Sequence, residues 1–170
     1  VCVAMTEKQK NLIMKGYCRK TDAFNTKSKF YNKPFLRYGF ECEDGWFRLI
    51  LWLSSYIQQY IDQNNEWAEK YPKEHTKIEQ VKVRQVKEKF GSLRYYIDGG
   101  DEHINNVIDF AMHISGGICE YTGLTENVGY NREGWIKTSH FTQCKNKNDF
   151  YYVDSEELRQ ILNKTDWLFS

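Results

Sequence analysis

The sequence predicts an α+β fold, in which a long central amphipathic helix packs on a small antiparallel sheet and further short helices follow. Apolar residues recur every three or four positions between residues 46 and 61, the spacing of one helix face. Residues 86–97 form two short apolar-polar patterns around a Gly-Ser pair, which indicates a β-hairpin. Apolar stripes after residues 101 and 154 indicate two shorter helices.

The length of the chain favours one domain. With 170 residues it is close to the usual size of a single domain, so we expect one domain over residues 1–170. Residues 1–5 are expected to be disordered, with residues 1–4 a possible remnant upstream of a natural start at Met5. Residues 119–147 are punctuated by glycine and asparagine and are expected to be irregular.

Composition argues against nucleic acid and membranes as partners. Lys and Arg total 24 against 23 for Asp and Glu, so net charge offers no general attraction to phosphate or anionic lipid. The longest apolar run, residues 49–53, is far below the roughly 20 residues that span a bilayer. The five cysteines are odd in number and widely spaced, which indicates free thiols and a cytoplasmic protein.

The clearest element is the long helix. We expect Asp44 to cap its start and Pro72 to forbid its continuation. A shorter helix is predicted over residues 6–15, and an ordered loop between the two. The apolar stripe of the long helix comprises Trp46, Leu49, Ile50, Leu53, Tyr56, Ile57, Tyr60 and Ile61.

The hairpin is predicted to turn at Gly91 and Ser92, because glycine suits the first central position of a two-residue turn. That turn fixes which residues face each other, and so which share a face. The predicted core-side pairs are Phe90/Leu93, Glu88/Tyr95 and Val86/Ile97, and the predicted outer pairs are Lys89/Arg94, Lys87/Tyr96 and Gln85/Asp98.

Three elements are predicted after the hairpin. Asp101 is expected to cap a helix that ends before Gly116. A short strand is expected at residues 135–138. The last helix is predicted to start at Asp154 or Ser155. Its apolar stripe comprises Leu158, Ile161 and Leu162.

Three sequence motifs suggest a family. They are EDGWF at residues 43–47, VKEKFGSLRYY at residues 86–96, and ICEYTG at residues 118–123 followed by Gly134-Trp135. Together they resemble a group of small, uncharacterised phage and prophage proteins with a "DGWF" helix start, a "VKEKFGGLRFY" hairpin and a "CExCG" turn. The resemblance covers roughly residues 39–140. It implies a phage protein in the host cell cytosol and implies no particular activity.

The resemblance also raises the question of a metal. In that group the turn looks like half of a zinc knuckle, with two thiolates two residues apart. Here Thr122 replaces the second cysteine, and a hydroxyl is a poor zinc ligand. Cys119, His140 and Cys144 remain as a weak alternative ligand set. We therefore expect no metal or other cofactor, and a former metal turn that is now held by packing.

The outer face of the predicted hairpin is the main candidate binding site. It places Lys87, Lys89 and Arg94 around Tyr96. Arginine offers forked donors for phosphate, lysine adds charge, and tyrosine offers a ring for stacking. These properties suit an anionic, nucleotide-like small molecule. The alternative interpretation is an ordinary solvated strand face whose charges are balanced by neighbouring acids.

A second candidate site precedes the long helix. Arg37 and Tyr38 lie close in sequence to Glu41, Glu43 and Asp44. The start of a helix attracts anions through its unpaired backbone N–H groups. Because Asp44 is expected to occupy that position as the cap, the structural interpretation is favoured there.

No catalytic motif is present in the sequence. It contains no HExxH, GxSxG, phosphate-binding loop or GxGxxG, and its four histidines stand in no recognised pattern. We therefore predict a non-catalytic phage accessory protein that binds and neutralises a host factor, such as a nucleotide-derived immune signal. The alternatives are a protein-protein inhibitor of a host defence enzyme and a small hydrolase of a nucleotide signal. The hairpin edge also leaves self-association open.

Overall fold

A computed structural model describes residues 40–132, 134–153 and 156–164, and these residues form the predicted α+β fold. The helices are α1 (Phe47–Lys70), α2 (Glu102–Ser115) and α3 (Glu156–Lys164). The strands are β1 (Phe40–Glu41), β2 (Lys82–Lys89), β3 (Ser92–Asp98), β4 (Val128–Asn131), β5 (Thr138–His140) and β6 (Phe150–Tyr152). The predictions for residues 1–5 and 6–15, for Arg37 and Tyr38, and for Asp154 and Ser155 lie outside the described residues.

Helix α1 buries most of the predicted stripe, with Tyr56 and Tyr60 only partly buried, and it starts differently from the prediction. Leu49, Ile50 and Leu53 are fully buried, and the helix ends at Lys70, before Pro72. Asp44 does not cap it, because the chain enters through a 3₁₀ turn, Asp44–Trp46, and the helix begins at Phe47. Backbone docking explains this entry: the Gly45 N–H donates to the carbonyl of Glu120 at 2.6 Å.

The hairpin of β2 and β3 is confirmed, but its turn was predicted one residue too late. The two turn residues are Phe90 and Gly91, with φ of 54° and 75°. Two successive positive φ values are typical of the type I′ turn, whose twist matches the strands. Leu93 therefore faces Glu88 instead of Phe90, and Phe90 lies at the exposed tip.

The corrected register keeps every strand side chain on its predicted face. Near the turn, each residue pairs with a partner two positions away from the predicted one. Because strand side chains alternate between the two faces, a displacement of two leaves each side chain on the same face. Lys87 thus faces Arg94, and Tyr96 faces Gln85. The sheet is completed by β1, which runs parallel to β2, so the small sheet is mixed.

The core joins α1 to the hairpin and to the other two helices. Asp101 caps α2 as predicted, because its carboxylate accepts the Ile104 N–H at 2.9 Å. Leu158 and Leu162 of α3 are buried in the same core. Across the core, the hydroxyls of Ser54 on α1 and Tyr95 on β3 lie 3.2 Å apart.

A second sheet occupies much of the region that was expected to be irregular. Its strand order is β5-β4-β6, with antiparallel pairs throughout. The strand predicted at residues 135–138 is instead β5, Thr138–His140. These strands have only three or four residues each, too few for an alternating pattern to be recognised in sequence.

None of the helices in the described ranges combines the length and the apolar character that crossing a bilayer requires. This finding concerns residues 40–132, 134–153 and 156–164.

Substitution of two aromatic residues, one buried and one exposed, tests the fold. Trp46 is fully buried, and its indole N–H donates to the Ile118 carbonyl at 3.0 Å, whereas Phe90 is 70% exposed. We expect Trp46→Ala to lower the free energy of unfolding by about 3–5 kcal/mol, because it leaves a cavity. Phe90→Ala should change it by at most about 0.5 kcal/mol. Urea unfolding of both variants measures this contrast, and similar losses would place Phe90 in the core.

The turn position has its own test. Asparagine tolerates the left-handed conformation better than phenylalanine, and Asn-Gly is the preferred pair in a type I′ turn. Phe90→Asn should therefore raise the free energy of unfolding by up to about 1 kcal/mol. The matched change Ser92→Asn, at a strand position, should give no gain. A gain from Ser92→Asn alone would support the turn at Gly91 and Ser92.

Candidate functional site

The outer face of the hairpin carries the four predicted side chains. Lys87, Lys89, Arg94 and Tyr96 all lie on the side of the sheet that faces away from the core. The Lys87 ammonium lies 5.5 Å from the centre of the Tyr96 ring, a cation–π distance. Lys87 and Arg94 face each other across the two strands. The side chains are thus brought together on a regular hairpin.

Neighbouring groups balance part of this charge. Glu41 on β1 is paired in register with Lys87, and its carboxylate accepts a hydrogen bond from Gln85. The Arg94 guanidinium donates to the Ser92 hydroxyl and to the Leu93 carbonyl. Next to Lys87, Lys89 and Arg94 the outer face thus carries one carboxylate, Glu41, while Asp98 pairs with Arg84. Arg37 and Tyr38, the other predicted binding residues, lie outside the described residues.

A buried group of charges, which the sequence reasoning did not identify, lies behind the hairpin. We call Glu88, Lys137 and Glu120 the ion triad. The Lys137 ammonium lies 3.0 Å from each carboxylate oxygen of Glu120 and 3.4 Å from Oε2 of Glu88. Lys137 thus joins a carboxylate from β2 to a carboxylate from the turn after α2.

Further donors satisfy the carboxylates of the ion triad. Glu88 accepts the Gly91 backbone N–H at 2.8 Å and the indole N–H of Trp135 at 2.6 Å. Glu120 accepts the backbone N–H of Glu43 at 3.1 Å. The side chains of Glu120 and Glu88 are only 0% and 3% exposed, so these bonds replace the water that both carboxylates lose.

The three motifs of the sequence meet at the ion triad. Gly45 of the first motif lies against the turn of the third, and a Cβ there would sit 2.1 Å from the Cys119 carbonyl oxygen. The second motif supplies Glu88, and the third supplies Glu120. Trp135, from the Gly-Trp pair, closes the group through Glu88. The three motifs, although distant in sequence, therefore contact one another around the ion triad.

Burial shifts the proton affinities around the ion triad. Burial raises the pKa of Glu120 above its ordinary value, although the Lys137 hydrogen bonds and the Glu43 N–H act in the opposite direction. Burial alone would lower the pKa of Lys137, but its carboxylate partners outweigh that effect and raise it. Burial, with Glu120 and Glu43 nearby, raises the pKa of the Cys42 thiol to about 12. Cys42 is therefore a protonated thiol, not a nucleophile, at neutral pH.

A cleft of about 680 Å³ opens beside the ion triad. It lies between residues 134–137 and 143–149, and Lys137 reaches it with 27% of its side chain exposed. Trp135 on its rim is 71% exposed. Residues lining the cleft include Tyr121, Asn131, Trp135, Lys137, Gln143 and Asn146.

The weak zinc alternative gains no support from the described ranges. Nowhere in them do three or more His, Cys, Asp or Glu side chains cluster closely enough to hold a metal ion. Cys119 is buried, and its sulfur accepts the Thr122 N–H at 3.4 Å. His140 binds Thr142, and the Cys144 thiol donates to the Asn146 carbonyl. Cys42, Cys119 and Cys144 are free thiols, as predicted.

One sequence signal could have revealed the ion triad. Glu88 falls on the core face of the predicted hairpin, and a buried carboxylate needs a partner. Its partner Lys137 follows 49 positions later, in a segment whose sequence shows no helix or strand pattern. Sequence spacing therefore indicates that a partner exists without identifying it.

The ion triad has a measurable pH signature. Lys137→Met leaves two buried carboxylates without their cation, so we expect a loss of about 3–5 kcal/mol in the free energy of unfolding near neutral pH. Removing the lysine also raises the pKa of Glu120 further. A folded-state pKa above the unfolded value gives stability that is present at low pH and is lost as pH rises. The loss should therefore be smaller at pH 5 than at pH 8.

Urea unfolding of wild type and variant at both pH values measures this difference. The raised pKa of Lys137 places its own titration above this range. Lys145→Met, which removes an exposed lysine of the same cleft, is the matched control and should change stability little. Equal losses from Lys137→Met at pH 5 and pH 8 would contradict the assigned role of Glu120.

Known proteins give no direct guide to this site. No protein-family model, no curated protein and no solved structure matches the chain. The resemblance to phage proteins therefore stays a prediction. The geometry of the hairpin, the ion triad and the cleft is what indicates a function.

Proposed function

We propose that the chain is a non-catalytic phage or prophage accessory protein that works in the host cytosol. It binds and neutralises a host factor by holding an anionic, nucleotide-like molecule on the outer face of the hairpin. Lys87 and Arg94 contact the phosphate, and Tyr96 offers its ring to the rest of the ligand.

The observation that carries this proposal is the separation of charge between the two sides of the hairpin. Strand β2 contains one carboxylate, Glu88, and its side chain points inward to Lys137. Lys87 and Lys89 point outward on either side of it, and Arg94 faces Lys87. The outward cations are therefore not neutralised by their own strand, which favours an anionic ligand there.

The same arrangement supports binding without catalysis. The carboxylates of the ion triad are buried and hydrogen-bonded within the protein, so a substrate would have to displace those bonds to reach them. A general acid or base must lie within hydrogen-bonding reach of the group that reacts. Lys137 alone of the ion triad lines the cleft.

A protein-protein inhibitor is the second candidate. Phe90 and Trp135 are about equally exposed, at 70% and 71%. Glu88 accepts the indole N–H of Trp135 and so holds that side chain, and it accepts the N–H of Gly91 and so holds the turn backbone next to Phe90. Large aromatic side chains held in fixed positions are typical of the central residues of protein interfaces.

A small hydrolase of a nucleotide signal is the third candidate. Polar groups from the hairpin and from the turn at Cys119 do meet in the ion triad, as an enzyme would require. Burial raises the pKa of Glu120, and a raised carboxyl pKa is a feature that active-site acids share. Its burial is the argument against this reading.

A double substitution tests the outer face. We expect Lys87→Ala with Arg94→Ala to weaken the binding of ATP at least tenfold, because two charge-assisted contacts are lost. The melting temperature should stay nearly constant, because both side chains lie outside the core. The matched control is Lys70→Ala with Lys77→Ala, which removes the same charge from exposed ion pairs elsewhere. Calorimetry measures both, and equal ATP binding in the two double variants would exclude this surface.

Native mass spectrometry of the protein after incubation with a host-cell small-molecule extract separates the candidate functions. An intact nucleotide that stays bound supports capture. A nucleotide that is consumed supports the hydrolase. A protein that retains no small molecule overturns the capture proposal in favour of the inhibitor.

A further inference from the structure

We propose that the cleft between residues 134–137 and 143–149 is a site for an uncharged, flat heterocyclic base, stacked on the indole of Trp135. It goes beyond the proposed function, because it adds a second binding surface, for a base without its phosphate, to the one on the outer face of the hairpin. The cleft proposal rests on the proposed function only in taking a nucleotide-like compound as the class of ligand.

Trp135 is an exposed ring that is nevertheless held in place. Although the residue is 71% exposed, its indole N–H donates to Glu88 at 2.6 Å. The backbone next to it is also fixed, because the Asn131 side chain accepts the Lys137 N–H at 2.9 Å and donates to the Trp135 carbonyl at 2.8 Å. An already ordered ring loses little conformational entropy when a ligand stacks on it.

The floor of the cleft does not favour a strong anion. The Lys137 ammonium donates to both carboxylate oxygens of Glu120 and forms an ion pair with Glu88. Its charge is therefore already neutralised by the protein. The cleft wall also contains one lysine, Lys145, and one carboxylate, Asp149, which accepts the Arg132 backbone N–H at 3.2 Å. An uncharged ring suits this environment better than a phosphate.

The cleft wall also offers groups that recognise the edge of a base. The side chain of Gln143 carries an amide, and the Asn146 amide keeps its two N–H donors while its oxygen accepts the Asn148 N–H at 3.2 Å. Glutamine and asparagine amides pair with the donor and acceptor edge of adenine, while an indole stacks on any base. A volume of about 680 Å³ is within the range of small-molecule sites.

Adenosine is the probe, because it carries a base and no phosphate. We expect calorimetry to detect adenosine binding to the wild type at millimolar concentration, and Trp135→Ala to weaken it about 5- to 100-fold through loss of stacking. Trp67→Ala, at another exposed tryptophan, is the matched control and should leave binding unchanged. No binding by the wild type, or equal binding by Trp135→Ala, overturns the proposal.

A measurement on the wild type guards against misfolding of the variant. In nuclear magnetic resonance spectra the indole N–H signal of Trp135, identified by its absence in Trp135→Phe, should shift on addition of adenosine. The Trp67 signal should not. A Trp135 signal that stays fixed at saturating adenosine overturns the stacked site.

An inorganic probe keeps this test separate from the proposed function. Tripolyphosphate carries charge and no base, so it should bind the outer face and lose affinity in the Lys87→Ala, Arg94→Ala variant. Trp135→Ala should leave its affinity unchanged. Tripolyphosphate binding without adenosine binding overturns the cleft site alone, and the reverse overturns the hairpin site alone.

Discussion

The structure depends on one buried interaction, the contact of Lys137 with Glu88 and Glu120. Two carboxylates taken out of water cost several kcal/mol each unless charges and donors replace the water. Here one ammonium serves both, and backbone N–H groups and the Trp135 indole supply the remaining bonds. Because the partners come from the hairpin, from the turn after α2 and from the segment before β5, the interaction holds three distant parts of the chain in one arrangement.

The same interaction gives the hairpin two different sides. Glu88 is directed inward, and the strand residues on either side of it are lysines that face solvent. Charge is therefore separated across a single strand, with the acid neutralised inside and the cations presented outside. The fixed position of Trp135 follows from the same carboxylate. A stabilising contact in the interior thus determines what both candidate binding surfaces can offer to a ligand.

Elements with many residues in one pattern could be predicted from sequence, and contacts between single residues could not. The stripe of α1 repeats over several turns, and Asp101 lies directly before its helix, so both were recovered. The turn of the hairpin was displaced by one residue, because Phe90 at positive φ opposes the preference of a bulky side chain. Strands of three or four residues are too short for a recognisable alternating pattern. The contact of Glu88 with Lys137 joins residues far apart in sequence, so no local pattern predicts it.

Hydrogen bonds of the backbone, together with the ion triad, hold the turn at Cys119 in place. Cys119 accepts the Thr122 N–H at its sulfur and the Gly123 N–H at its carbonyl, so one residue closes the turn from both ends. Gly45 docks on the neighbouring carbonyl of Glu120, and Lys137 holds the Glu120 side chain. A threonine at residue 122 is compatible with this turn because the turn is constrained by the backbone and by the ion triad.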